Sequence, residues 1–154
     1  MSIKKYFTKK LCLKIYNDLD FDHYYKGTVK RILGTKITHT SSFLNQKCHQ
    51  VSCDLYKANS DNKVVMAWCT DDEATTGFVH FLNYNKKDKV YIDNTLGGES
   101  IHSVYFILNS KWVQRSADDE IPNPSKWLIN FRKDMYLKYC TSWLWKLFVK
   151  ETDI

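Results

Sequence analysis

Residues 77–98, GFVHFLNYNKKDKVYIDNTLGG, predict the hairpin on which the fold is built. Residues 77–84 are dense in aromatic and branched side chains, residues 85–88 are turn formers, and residues 89–93 are largely apolar again. This pattern predicts two antiparallel strands joined by a short connection. The hairpin therefore fixes the relative positions of the side chains at its open end.

The predicted hairpin brings a histidine and a carboxylate to the same end of the sheet. His80 lies near the start of the first strand, and Asp93 closes the second. Because antiparallel strands pair start to end, these two side chains can meet across the ladder. A carboxylate in this position holds the imidazole in one tautomer and stabilises its charged form, so that the histidine can serve as a base for a nucleophile. The alternative is an ordinary hairpin in which His80 has no chemical role.

The segment around Cys48 predicts a helix that begins near this cysteine and points it inward. Unpaired N–H groups and the positive end of the helix dipole favour a thiolate there, and the same N–H groups can hold an oxyanion. Cys53 lies on another face and lacks this setting. The alternative for Cys48 is a small buried apolar residue, as many intracellular cysteines are. The apolar stripe consists of Leu44, Cys48, Val51, Leu55 and Ala58, and Ser41, Ser42 or Asn45 can cap its start.

The order of these residues resembles the transglutaminase-like branch of the papain-type cysteine enzymes. In that family a cysteine at a helix start precedes a strand, a histidine followed by an aromatic residue, and an aspartate with a threonine two positions later. The corresponding residues here are Cys48, His80-Phe81 and Asp93-Asn94-Thr95, and the resemblance covers about residues 45–98. Lys47 departs from the pattern, because the family usually has a small residue beside the cysteine.

The resemblance implies an acyl-transfer enzyme that acts on an amide bond of a protein or peptide. Cys48 is then the nucleophile, His80 moves the proton, and Asp93 orients His80. Backbone N–H groups at Cys48 and the side chain of Gln46 are expected to hold the oxyanion. No cofactor or metal is implied. Peptidase, amidase, deamidase and transglutaminase-type reactions all stay open.

Residues 1–154 predict a single α+β domain. We expect an antiparallel sheet from about Val64 to Leu108, with the Cys48 helix packed against it and helices at both ends of the chain. The predicted strands cover residues 63–69, 77–84, 89–93 and 104–108. Helices are predicted over residues 2–18, over a short segment that ends at Gly34, and with helical spacing in residues 125–150.

Composition places limits on the class of protein. Hydrophobic content of 44% and aromatic content of 15% favour an ordered globular chain. The five cysteines are scattered without a CxxC pair, which is typical of a reducing compartment. No apolar run reaches the roughly 18 residues of a membrane span, so we expect a cytoplasmic protein. The net charge of +6 is compatible with nucleic acid, an acidic protein or an anionic surface, although no nucleic-acid motif is present.

Two further interpretations follow from the same sequence. A non-catalytic module could bind a partner protein through the basic, aromatic C-terminal region, residues 126–150. The scarcity of glycine and proline beside abundant Lys and Asn is consistent with an AT-rich genome, and a virus or phage protein acting on a host target is one source among several. The segments at His39 and His102 resemble two-histidine phosphoesterase motifs only faintly, since Val104 stands where a hydroxyl residue is required.

Overall fold

The computed structural model describes residues 2–19, 29–40, 47–71, 73–108 and 124–154. These ranges contain helices at both ends and a six-stranded sheet between them. The helices are α1 (Ile3–Asn17), α2 (Cys48–Ala58), α3 (Pro124–Tyr139) and α4 (Trp143–Phe148). The strands are β1 (Val29–Leu33), β2 (Thr38–His39), β3 (Asn62–Thr70), β4 (Gly77–Asn85), β5 (Val90–Asp93) and β6 (Val104–Leu108), and single 3₁₀ turns cover Gly34–Lys36, Gly97–His102 and Glu151–Asp153.

The strand order is β1-β6-β3-β4-β5-β2, which confirms the α+β class. The expectation of a wholly antiparallel sheet is wrong, because β2 pairs with β5 in parallel through Thr38–Ile92 and His39–Asp93. Two strands that precede the Cys48 helix thus occupy the two edges. Neither was part of the sheet predicted between Val64 and Leu108.

The side chains of β3 point alternately to the two faces of the sheet, and each face carries its own cluster of buried residues. Met66 and Trp68 face the first cluster, which α1, α2 and the C-terminal helices cover. Ala67 and Cys69 face the second, together with Tyr105 of β6. Successive strand residues point to opposite faces, so both faces of the central strands are buried. This double burial explains the nearly continuous apolar sequence of β3.

The sheet curls around the second cluster. Lys30 of β1 places its ammonium 5.0 Å from the ring centre of Tyr91 of β5, although three strands separate β1 from β5 in the sheet. Residues of both strands also line a cavity of about 350 Å³ between these two strands. The side chains of the second cluster are therefore enclosed by the sheet itself.

The predicted helix that ends at Gly34 is wrong over its described part. Residues 29–33 form β1, which pairs with β6 through contacts such as Ile32–Tyr105. Long-range pairing overrides the local pattern here, because Ile32 gains burial against the second cluster. Gly34 serves a close approach of two chain segments: an added Cβ would lie 2.3 Å from the Ser100 carbonyl oxygen.

The C-terminal helical segment is interrupted. α3 ends at Tyr139 and α4 begins at Trp143, with Tyr139 and Cys140 buried at the break. Phe148 of α4 stacks on Phe7 of α1 with ring centres 5.1 Å apart. The helical spacing of residues 125–150 continues through Trp143 and Leu147, but these two do not lie in the core, because Trp143 is 72% and Leu147 64% exposed.

We expect Gly34→Ala to destabilise the protein. The new methyl group would meet the backbone oxygens of Ser100 and Ile101 at 2.3 and 2.6 Å, and backbone cannot move aside as a flexible side chain can. Overpacking of this kind costs about 1–3 kcal/mol, measured as the free energy of unfolding in urea. Gly98→Ala is the matched control, since nothing lies within 4 Å of its added Cβ; equal losses in both variants would contradict the steric argument.

Candidate active site

Helix α2 begins at Cys48. Its first helical hydrogen bond runs from the Val51 N–H to the Lys47 carbonyl at 2.9 Å, so the N–H groups of Cys48, His49 and Gln50 precede the helical bonding. The cap position is Lys47, whose side chain makes no capping hydrogen bond. Gln46 and the predicted capping residues Ser41, Ser42 and Asn45 lie outside the described residues.

Asn83 of β4 fixes α2 against the sheet. Its buried amide nitrogen donates to the Ser52 carbonyl of α2 at 3.0 Å and to the Asn62 carbonyl of β3 at 3.0 Å. Its amide oxygen accepts from Asn94, which directly follows Asp93, at 3.3 Å. One buried side chain thereby ties together the helix that carries Cys48, the strand that carries His80 and the turn after Asp93.

The pairing of β4 with β5 covers only Asn83 to Asn85, so His80 and Phe81 lie before its first pair. The start of α2 approaches β4 at this level, so that the Cys48 sulfur lies near the His80 ring and the backbone N–H groups of Phe81 and His49, all of which lower the pKa of its thiol. The short length of β5 thus leaves room for the Cys48 side chain beside His80.

His80 and Asp93 form a buried pair. The distance from His80 Nε2 to Asp93 Oδ2 is 2.9 Å, and the two residues are 2% and 0% exposed. With Nε2 donating to the carboxylate, Nδ1 is the ring nitrogen left for the Cys48 thiol. The structure therefore brings together the three residues singled out in the sequence, in the order thiol, imidazole, carboxylate.

The Asp93 carboxylate receives further donors. Its Oδ1 accepts from the N–H of Thr95 at 3.0 Å, the N–H of Leu96 at 3.2 Å and the Thr95 hydroxyl at 3.4 Å. Its Oδ2 accepts from the Tyr105 hydroxyl at 3.1 Å as well as from His80. Sequence reasoning missed Tyr105, because an aromatic residue within an apolar strand carries no signal of its hydroxyl partner.

These contacts shift the pKa values of the buried pair. Burial raises the pKa of Asp93, but the hydrogen bond and charge of His80 and the N–H groups of Thr95 and Leu96 outweigh it and lower the pKa from 3.8 to about 2. Burial lowers the pKa of His80, but Asp93 and Cys48 outweigh it and raise the pKa from 6.5 to about 9. Both groups are therefore charged at neutral pH.

His80 also shifts the pKa of the Cys48 thiol. Burial raises the pKa of Cys48, yet the hydrogen bond and charge of His80, with the Phe81 and His49 N–H groups, bring it below its usual value of 9.0. Cys69 behaves in the opposite way: burial and the charges of Asp93 and Cys48 raise its pKa well above that value. Of these two neighbouring cysteines, only Cys48 lies in a setting that favours the thiolate.

A second cysteine–histidine contact lies on α2. The sulfur of Cys53 is 3.6 Å from His49 Nε2, and burial lowers the pKa of His49. Cys53 is buried, whereas Cys48 is partly exposed. Cys48 is therefore the better placed of the two to meet a substrate.

The predicted cleft beside Cys48 stays a prediction. Two cavities of about 220 and 350 Å³ lie along β1, and none of Cys48, His80 and Asp93 lines either of them. Residues 41–46, which lead into Cys48, are outside the described part of the chain.

Comparisons with protein-family models, curated proteins and solved structures found no match. Among the residues that the structure describes, no group of three or more His, Cys, Asp or Glu side chains is arranged to hold a metal ion. No helix within the described ranges has the length and apolar content to cross a bilayer. The chemistry has to follow from the geometry of the Cys48, His80 and Asp93 side chains.

We expect the stability cost of Asp93→Asn to depend on pH. The raised pKa of His80 stabilises the fold fully below about pH 6.5, and this contribution is lost as pH rises through 9. Without the carboxylate only Cys48 is left to raise the pKa of His80 against burial, so most of this contribution disappears. The unfolding free energy lost by the variant should shrink between pH 6 and pH 10, by at most about 3 kcal/mol, measured by urea unfolding.

Asp54→Asn is the control for this comparison, because Asp54 is an exposed carboxylate that bonds Gln50 on the outer face of α2. Its cost should be small and nearly the same at both pH values. A cost for Asp93→Asn that does not change with pH would contradict the charged His80–Asp93 pair.

Proposed function

We propose that the protein is a cysteine-nucleophile acyl-transfer enzyme that acts on an amide bond. The observation that supports this proposal is the position of His80, which bonds through Nε2 to Asp93 at 2.9 Å and lowers the pKa of the partly exposed Cys48 thiol beside it. Burying a charged pair costs several kcal/mol unless it is well compensated. Beside a thiol at a helix start, such a charged pair can stabilise the thiolate and move its proton.

In the proposed reaction the Cys48 thiolate attacks the carbonyl carbon of the amide and forms a C–S bond. Backbone N–H groups at Cys48, with the side chain of Gln46, hold the oxygen as it becomes negative. The imidazolium of His80 gives its proton to the amine nitrogen as the C–N bond breaks, which leaves a thioester on Cys48. Asp93 keeps the imidazole oriented and stabilises its charge.

A second nucleophile then completes the cycle. His80 takes a proton from a water or an amine, which attacks the thioester carbon, and the Cys48 thiolate leaves. Water gives hydrolysis, as in a peptidase, amidase or deamidase, and an amine gives transfer. We assign the substrate class as a protein or peptide amide, in line with the resemblance to the transglutaminase-like branch of the papain-type enzymes. Lys47 beside the nucleophile is the departure from that pattern.

A specific observation favours a second candidate function, a non-catalytic binding module. Trp143 and Leu147 expose most of their surface on one side of α4, and Lys146 and Lys150 are exposed beside them. Exposed apolar side chains rimmed by polar ones are typical of interaction surfaces. In that case the Cys48 site would have no need of a reactive thiolate.

We expect iodoacetamide at pH 7 to alkylate Cys48 at least about tenfold faster than Cys53 or Cys69, because alkylation requires the thiolate. Exposure alone could produce that order, so the deciding variant is His80→Gln. Loss of the imidazolium should slow alkylation of Cys48 about tenfold or more, which corresponds to about 1.4 kcal/mol of lost thiolate stabilisation. Peptide mass spectrometry gives the rate at each cysteine.

His102→Gln is the matched control, since His102 is exposed and lies after β5, in the 3₁₀ turn Gly97–His102. It should leave the alkylation rate of Cys48 unchanged. If Cys48 reacts no faster than Cys53, or if His80→Gln leaves its rate untouched, the enzyme proposal fails and the binding module becomes the leading candidate.

A further inference from the structure

Tyr105 occupies a fixed position behind the candidate site. It is the second residue of β6, paired with Ile32 of β1 on one side and Cys69 of β3 on the other, and its ring is fully buried. Its hydroxyl donates to Asp93 Oδ2 at 3.1 Å. That oxygen is the one that accepts from His80 Nε2 at 2.9 Å.

We propose that Tyr105 acts on His80 through Asp93: its hydroxyl partly neutralises Asp93 Oδ2 and so sets how strongly the carboxylate stabilises the imidazolium form of His80. This inference rests on the proposed function for its use in catalysis. A donor that shares an acceptor oxygen withdraws charge from it, which weakens the pull of that oxygen on its other donor. Tyr105 thereby limits the basicity that Asp93 confers on His80.

The hydroxyl is a donor at every working pH. Burial raises the pKa of Tyr105, and the charges of Cys69 and Asp93 raise it further, so the phenol does not ionise in the range where His80 titrates. The protonated phenol can only donate toward an ionised carboxylate. The Tyr105 hydroxyl therefore reduces the negative charge on Asp93 Oδ2 throughout this pH range.

Orientation of the carboxylate does not depend on Tyr105. Asp93 Oδ1 is held by the N–H groups of Thr95 and Leu96 and by the Thr95 hydroxyl, all within the same turn. Removing the phenol hydroxyl leaves these donors and His80 in place. The principal change is then in the charge on Oδ2, and a more negative Oδ2 stabilises the imidazolium more strongly.

Other titratable groups face this pair from each packed element. Cys48 contacts His80 from α2, and Cys69 of β3 lies near Asp93. Ser100 contacts Tyr105 and lies 3.1 Å from His39 Nδ1, and His39 is also the strand partner of Asp93 in the pairing of β2 with β5. Tyr105→Phe leaves all of these residues in the chain and changes only the hydroxyl.

The test is an NMR titration of the His80 ring nitrogens in the unmutated protein and in Tyr105→Phe. We expect the midpoint of His80 to move upward by about 0.5 pH units in the variant, since a hydrogen bond to a charged group is worth about 1.5–3 kcal/mol and only part of it is transmitted. An unchanged midpoint would mean that the hydroxyl only fills space. A lower midpoint would mean that it holds Asp93 in place, and either result overturns the inference.

Tyr136→Phe is the matched control, because it also removes a phenol hydrogen bond, to the Val149 carbonyl at 2.7 Å, but far from this contact network. It should leave the His80 midpoint where it is. A second measurement needs no variant: in the unmutated protein the Tyr105 hydroxyl proton should exchange slowly and show a contact to the proton on His80 Nε2. If the hydroxyl proton exchanges rapidly and shows no such contact, Tyr105 and His80 do not share Asp93 Oδ2 as an acceptor, and the inference is overturned.

Alkylation of Cys48 in the same samples separates the two proposals. An unreactive Cys48 together with a raised His80 midpoint in Tyr105→Phe overturns the proposed enzyme and leaves the role of Tyr105 at Asp93 standing. A reactive Cys48 with an unmoved midpoint overturns the role of Tyr105 and leaves the enzyme standing.

Discussion

The carboxylate of Asp93 is the constraint on which the centre of this structure depends. A fully buried charge is tolerated only when its oxygens are satisfied by strong donors. Here the donors come from three separate parts of the chain: His80 of β4, Tyr105 of β6 and the turn at Thr95 and Leu96. Because all must converge on one side chain, β4, the end of β5 and β6 are held in one arrangement, and the position of the His80 ring follows from it.

A second constraint explains why the thiol can reach that ring. Backbone N–H groups in a buried strand need an acceptor, and β5 is too short to supply one along the first half of β4. The start of α2 occupies this edge and places the Cys48 sulfur near the Phe81 N–H. The N–H groups at the helix start also need an acceptor, and the one at His49 lies near the same sulfur. The part of β4 that β5 does not cover and the first turn of α2 thus both face the Cys48 sulfur.

The local part of this arrangement could be predicted from the sequence, and the long-range part could not. His80 and Asp93 belong to one hairpin, so the strand pattern was sufficient to bring them together. Tyr105 reaches Asp93 only because β6 pairs with β3, and its apolar sequence context hides the hydroxyl. Residues 29–33 form a strand only in the presence of β6, which lies about half the chain away.

Prediction of the edges failed for a similar reason. A two-residue strand such as β2 has too few residues to show any period, and its parallel pairing with β5 joins segments that lie far apart in the sequence. At the C-terminus the residue spacing predicts helix correctly, but the spacing alone does not say which side of a helix packs against the rest of the protein. Trp145 and Phe148 pack against the first cluster, whereas Trp143 does not.

The proton balance of the site changes as the proposed reaction advances. Cys48 is one of the groups that raise the pKa of His80, through its hydrogen bond and its negative charge. When the thiolate becomes a neutral thioester, that contribution is lost, while burial and Asp93 continue to act. The pKa of His80 is then lower than about 9 in the thioester. The histidine is consequently a proton donor while the amide bond breaks, and once the acyl group is attached more of it is in the neutral form that can accept a proton, which is the order that the two half-reactions require. For the same reason Asp93 can stabilise the imidazolium form of His80 neither too strongly nor too weakly. Stronger stabilisation would keep His80 protonated through the second step. Weaker stabilisation would leave Cys48 without an imidazolium beside it in the first step.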